Sequence, residues 1–139
     1  QDSSGGFQCF VPYPFLKDNT RLPEARLASG EEVIRIISLS RIMLDNIPHI
    51  KAYRMNIGDH LSTIAINSGA DDIDGTVGHE EIMHVAGSTT NLNYNSYKLG
   101  NLIDSAGQNP VKRDSTYTRF EPLEIKPKRE GKLLPIIGQ

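Results

Sequence analysis

The stretch SGEEVIRIISLSRIMLDNIPHIKAYRMNI, residues 29–57, reads as a helix followed by a strand, and that order decides the fold. Ser29 with Glu32 three residues on is a capping-box pattern, in which each side chain accepts from the other residue's backbone N–H. Val33, Ile36, Ile37 and Leu44 follow near helical spacing, so a helix is predicted to about Asn46, with Pro48 marking its end. Residues 49–57 (HIKAYRMNI) are predicted to form a strand. Alternation along it sets Lys51, Tyr53 and Met55 on one face and Ala52 and Arg54 on the other.

Working outward, residues 1–6 (QDSSGG) are a polar linker, and residues 7–11 read as an apolar strand halted by Pro12 and Pro14. Strands apolar on both faces are typical of parallel sheets. A polar loop runs through Leu27. Downstream, Asp59 is expected to cap a helix carrying Leu61, Ile64 and Ala65, with Gly69 just past its end. Residues 70–77 (ADDIDGTV) read as a short strand ending in the turn pair Asp74-Gly75, and a helix is predicted over residues 79–86. Leu99, Leu102, Ile103 and Ala106 form the apolar stripe of a last helix. Residues 111–139 show no clear period and are predicted to wrap over other elements or to stay partly loose.

Strands and helices alternate, which argues for βαβ units and a parallel sheet, an α/β fold. A small open sheet and a segment of a (β/α)8 barrel both fit. A complete barrel takes about 250 residues, so in these 139 residues the barrel reading requires a further portion of it elsewhere. The expected organisation is a linker over 1–6, the α/β unit over 7–110 and a C-terminal extension over 111–139.

Fifteen Lys and Arg against seventeen Asp and Glu give a net charge of −2, with no basic face for nucleic acid and no polybasic handle for a membrane. No apolar run approaches the roughly 20 residues of a spanning helix. A soluble, cytoplasmic protein is the expectation. Cys9 is the only cysteine, so no zinc ribbon or iron–sulfur cage can be built from this chain alone. Because the chain starts at Gln1 rather than Met, it is expected to be a processed or incomplete piece of something longer.

Three features invite a functional reading. His79 and His84 are five apart, about 140° out of register on a helix, so a metal pair of the H-E-x-x-H kind is disfavoured. Asp71, Asp72 and Asp74 crowd one short strand, which is unfavourable in a buried setting unless each is partnered. At the C-terminal end of a parallel strand they and Thr76 would face the ligand crevice of α/β folds; a solvated acidic turn capping the next helix is the alternative. A positive group of the second strand, Lys51 or Arg54, suits either a carboxylate substrate or a structural partner for these acids. Lys112, Arg113 and Asp114 read as a surface charge cluster.

Residues 39–53 (LSRIMLDNIPHIKAY), residues 69–77 (GADDIDGTV) and the run from Ala106-Gly107 through Pro110-Val111 to Arg113-Asp114 together closely resemble the C-terminal half of the aminofutalosine synthase family. These are radical S-adenosylmethionine (SAM) enzymes of the futalosine route to menaquinone. The enzymes that make the deazaflavin precursor FO, or cyclise dehypoxanthine futalosine, are related. The likeness runs from about Phe7 to Tyr117. Arg54 departs from it, standing where the family usually has an aromatic residue.

The resemblance implies a radical SAM (β/α)8 barrel of which this chain holds the last three strand–helix units plus a C-terminal helix and tail. It implies SAM and a [4Fe–4S] cluster whose cysteines lie in the half of the barrel absent from this sequence. The implied reaction joins a 5′-deoxyadenosyl group to a carboxyvinyloxy-benzoate to make aminofutalosine. By position, Phe10, Val11 and Pro12 would lie beside the adenine, and Tyr53, Arg54, Asp72, Asp74 and Thr76 would face the substrate. The implied partners are a small-molecule substrate and the N-terminal half of the barrel, and the chain alone is expected to be inactive. A non-catalytic half-barrel that binds a ligand is the reading from another class.

Overall fold

The capping box at Ser29 forms as the sequence predicts. Glu32 N–H donates to Ser29 Oγ at 3.2 Å, and Ser29 N–H donates to Glu32 Oε2 at 2.8 Å. It opens α1 (Gly30–Met43), which ends three residues before the predicted Asn46. Val33 and Ile37 are buried, whereas Ile36 of the predicted stripe lies outside. The computed structural model describes residues 1–22 and 24–125; the expectation for the C-terminal extension beyond residue 125 lies outside the described residues.

Three parallel strands form the sheet in the order β1 (Cys9–Phe10), β2 (His49–Ala52), β3 (Asp72–Ile73). Cys9 pairs with His49 and Lys51 with Asp72. In-register residues share a face, so Phe10, Ile50, Ala52 and Ile73 point one way, onto Val33 and Ile37 of α1 and Ala65 of the next helix. Cys9, His49, Lys51 and Asp72 point the other way. This apolar–polar division is the main physical fact about the sheet.

The predicted strand over residues 49–57 is overturned after Ala52. Tyr53 is instead the N-cap of α2 (Arg54–Ile66). The Arg54 backbone N–H donates to the Asp74 carboxylate, and the N–H groups of Asn56 and Ile57 return to Tyr53 O, so no ladder donors remain for a strand. The helix is broken at Gly58, whose φ of 78° and ψ of 171° are open only to glycine. Asp59 follows the break, and its side chain takes Arg54 and Tyr94 rather than serving as the predicted cap. Gly69 does adopt positive φ, 122°, close behind the helix end.

The third predicted strand shortens to Asp72–Ile73, and the helix predicted over 79–86 to the single turn α3 (Ile82–Val85). Ile82 and Val85 are exposed, so α3 buries no apolar face that could lengthen it. The last helix, α4 (Ser96–Ser105), is capped by Asn95 through Lys98 N–H at 3.0 Å and seats Leu99 in the core. Residues after it form an antiparallel hairpin, β4 (Val111–Arg113) with β5 (Phe120–Pro122), which no periodicity in the sequence announces. No helix among the described residues is long and apolar enough to cross a membrane.

Candidate functional site

Each acid of the ADDID run meets an arginine from a different element. Asp71 accepts from Arg41 of α1 at 2.6 Å, and also from the Ile50 backbone N–H at 2.8 Å, with His49 Nδ1 at 2.7 Å. It ties helix to sheet at the N-terminal end of β3. Asp72 accepts two bonds from Arg113 of the hairpin, at 2.9 and 2.7 Å, and one from the Tyr117 hydroxyl at 2.6 Å. Asp74 lies 3.8 Å from the Arg54 guanidinium. The predicted need for partners is met three times over, by residues 20 to 41 positions away.

The Asp74–Arg54 pair sits at the C-terminal end of the strands and is fully enclosed: the two side chains are 5% and 0% exposed. Burial pushes the Asp74 carboxyl up, against the opposing pull of Arg54 and of backbone N–H groups. Arg54 also bonds Asp59 at 3.0 Å and the Asn91 carbonyl at 3.2 Å, and its guanidinium lies 4.3 Å from the centre of the Tyr94 ring. Even so, Arg54 Nε and Asp74 Oδ2 have no hydrogen-bond partner, nor has the nearby Asn56 Oδ1. Beside them Tyr13 and Tyr53 pack ring on ring at 4.7 Å, and burial raises both phenols first, with Asp74 adding to it.

The hairpin closes the other end of the polar face. Tyr117, at positive φ (56°), stacks on His49 at 4.4 Å and lies under the Arg113 guanidinium at 4.1 Å. Burial and the bond to Asp72 hold its phenol well above the ordinary range. Arg113 was expected in a surface charge cluster; it is instead a mostly buried partner of Asp72. Neither Arg113 nor Tyr117 was singled out as a site residue, and no local pattern could have found them.

A cavity of about 700 Å³ opens along the outer edge of β3, lined by Asp72, Asp74, Thr76, Leu99, Arg113 and Tyr117 among others. Of the residues implicated by sequence, Asp72, Asp74 and Thr76 come together there. Tyr53 and Arg54 flank Asp74 from the β2 side. Val11 and Pro12 follow β1 at the same end of the sheet, while Phe10 packs against the core behind it. His79 and His84 do not converge: His79 Nε2 lies 3.2 Å from Glu81, and His84 Nε2 is 2.9 Å from the Thr90 carbonyl. Among the described residues no group of three or more His, Cys, Asp or Glu is placed to share a metal ion.

The tyrosine pair and the buried acid–arginine pair thus lie at the C-terminal end of the parallel strands, the end at which α/β folds place their ligand crevices. The chain belongs to the family described as the CofH/MqnC C-terminal region, which it matches over residues 4–125. It is 36% identical over 121 residues to an aminodeoxyfutalosine synthase of Thermus thermophilus, covering 84% of this chain and 32% of the relative. It is 33% identical over 121 residues to a 5-amino-6-(D-ribitylamino)uracil–L-tyrosine 4-hydroxyphenyl transferase of Methanoculleus marisnigri (84% and 33%). With a cyclic dehypoxanthine futalosine synthase of Streptomyces coelicolor it shares 32% over 117 residues (84% and 29%). The chain thus spans about a third of the length of these curated relatives.

Proposed function

We propose that this chain is the C-terminal part of a radical SAM (β/α)8 barrel, with β1, β2 and β3 as its sixth, seventh and eighth strands. The enzyme would be cytoplasmic and would join the 5′-deoxyadenosyl group to a carboxyvinyloxy-benzoate, making aminofutalosine for menaquinone. In this reading residues 7–110 are barrel wall, 1–6 a linker and 111–139 an extension. The observation that carries the proposal is a three-stranded parallel sheet with an apolar face packed on α1 and α2 and a polar face on the other side, in a chain of this family. A barrel interior is a setting that encloses such a face and sets polar groups at the C-terminal strand ends beside the ligand.

A [4Fe–4S] cluster is held by several thiolates, and Cys9 is the single cysteine here, so the residues of this chain do not fit the cluster. By this proposal its ligands, and the power to cleave SAM, belong to the N-terminal half of the barrel. This chain supplies walls: Val11 and Pro12 beside the adenine, Phe10 behind them, and Tyr53, Arg54, Asp74 and Thr76 around the substrate. The buried Arg54–Asp74 pair fixes the start of α2 against the end of β3, and with it the orientation of Tyr53. Asp72, already saturated by Arg113 and Tyr117, acts on the substrate only through the charge balance of its neighbours.

The test is to reconstitute the complete enzyme under reducing conditions with SAM and the carboxyvinyloxy-benzoate, and to assay aminofutalosine by mass spectrometry. Two related reactions, cyclisation of dehypoxanthine futalosine and 4-hydroxyphenyl transfer from tyrosine, are supported by relatives of nearly the same identity. Supplying those substrates in parallel distinguishes the three. No product from any of them would favour the non-catalytic reading.

A further inference from the structure

The cavity beside β3 has two walls of opposite character. One is apolar: Ile66 of α2 with Leu99 and Ile103 of α4, all part of the packing over the helix face. The other is polar: Asp72 with Arg113 and Tyr117, its partners from the hairpin. Between the walls runs the outer edge of β3, the last strand of the sheet among the described residues. The Asp71 N–H donates to the Ile50 carbonyl at 3.0 Å, toward β2. Backbone groups of successive residues turn to opposite sides of a strand, so Ile73 also faces β2 while the N–H and C=O of Asp72 face the cavity. Ladder groups turned into such a space call for partners. The connections make the same demand. Helices α1 and α2 each join two strands that pair side by side, whereas α4 follows β3 and leads into the β4–β5 hairpin, with no further strand of the sheet after it among the described residues.

We infer that the cavity is the slot for one more parallel strand, carried by the part of the full-length protein outside this chain. This chain is about a third of the length of its curated relatives, so that part is large enough to supply it. The two walls favour a strand over a small molecule, because successive residues of a strand turn to opposite faces, one toward each wall. The strand that fits alternates, with apolar side chains toward Leu99 and Ile103 and polar ones toward Asp72, Arg113 and Tyr117. The inference rests on the barrel reading, in which the eighth strand meets the first. It deepens that reading by assigning the length of cavity beside Asp72 to a strand and not to the substrate.

The experiment uses the complete protein. Residue-resolved hydrogen exchange should find the Asp72 amide protected to within about tenfold of the Ile73 amide, which faces β2. A photoreactive phenylalanine analogue at Ile103, or at Ser96 should the first disturb folding, is expected to cross-link to one short segment outside residues 1–139. An Asp72 amide that exchanges faster than that margin would overturn the inference, as would cross-links confined to residues 1–139, within one copy or between copies. Protection of Asp72 that appears only on adding SAM or the carboxyvinyloxy-benzoate would also overturn it, by making the occupant a ligand. Both readouts intact with no aminofutalosine formed would sink the reaction and leave the strand standing. Aminofutalosine formed by a protein that fails both readouts would sink the slot alone.

Discussion

Arg113 grips Asp72 with two hydrogen bonds, at 2.9 and 2.7 Å, across 41 residues of chain. Both side chains are mostly buried, at 19% and 11% exposure, so the contact fastens the C-terminal hairpin onto the polar face of the sheet. Removing the guanidinium leaves a mostly buried carboxylate with only the Tyr117 hydroxyl bond and the Lys51 ammonium at 3.4 Å. Arg113→Ala is therefore expected to cost about 2–3 kcal/mol and Tyr117→Phe about 1 kcal/mol. Urea titration followed by circular dichroism measures both. An Arg113→Ala midpoint within error of the wild type would mean that the hairpin is not held by this bond.

Arg54 is the most deeply buried charge among the described residues, with Asp74, Asp59 and the Asn91 carbonyl around it. Arg54→Met strands Asp74 without a cation and is expected to destabilise the fold by about 3–5 kcal/mol. Adding Asp74→Asn removes the stranded charge, so the double variant should recover part of that loss. A strictly additive double variant would show that the two side chains do not act as a pair.

Acid acts on this fold in two directions. Glu32, bonded to Arg26 and Ser29, and Asp114, bonded to Thr118, are held below the usual carboxylate range. Their contributions are full above that range, begin to be lost as pH falls into it, and go on being lost below it toward the lowered folded-state pKa. Asp74, raised by burial, has the opposite sign: ionised, it costs stability at neutral pH, and its protonation on acidification relieves that cost. Between pH ~7 and ~3, Asp114→Asn should make the fall in urea midpoint shallower, and Asp74→Asn should make it steeper. Identical slopes in both variants would contradict the assignment.

Gly58 breaks α2 with nothing within 4 Å of where a Cβ would sit, so its requirement is conformational and not steric crowding by neighbours. Gly58→Ala is expected to cost about 1–3 kcal/mol and, by shifting Asp59, to loosen its bonds to Arg54 and Tyr94. The chemical shift of the Tyr94 ring reports the second effect. An unperturbed Tyr94 with a full loss of stability would confine the role of Gly58 to the backbone.

Alone, the chain presents two strand edges, those of β1 and β3, and exposed apolar residues including Phe7, Ile42 and Ile82 at 66, 73 and 79% exposure. It is expected to self-associate at micromolar concentration. Sedimentation velocity would register this, and a monomer with a sharp reversible melt would contradict it.

What the sequence determined by itself is local. The capping box, the stripe of α4, the proline stops and the order of strands and helices each depend on residues within a few positions of one another, and those elements appear where the pattern puts them. The long runs at residues 39–53 and 69–77 likewise carried the family. Strand lengths were misread where a distant group intervened: β2 ends because Asp74 takes the Arg54 N–H, a contact across 20 residues that no window contains. The ADDID run announced that its acids needed partners, but not which. Only the folded chain chose Arg41, Arg113 and Arg54, because a charge left in a buried setting is satisfied by whatever cation the topology brings within reach. By the same choice Asp72 gathers two cations, Arg113 of the hairpin and Lys51 of β2.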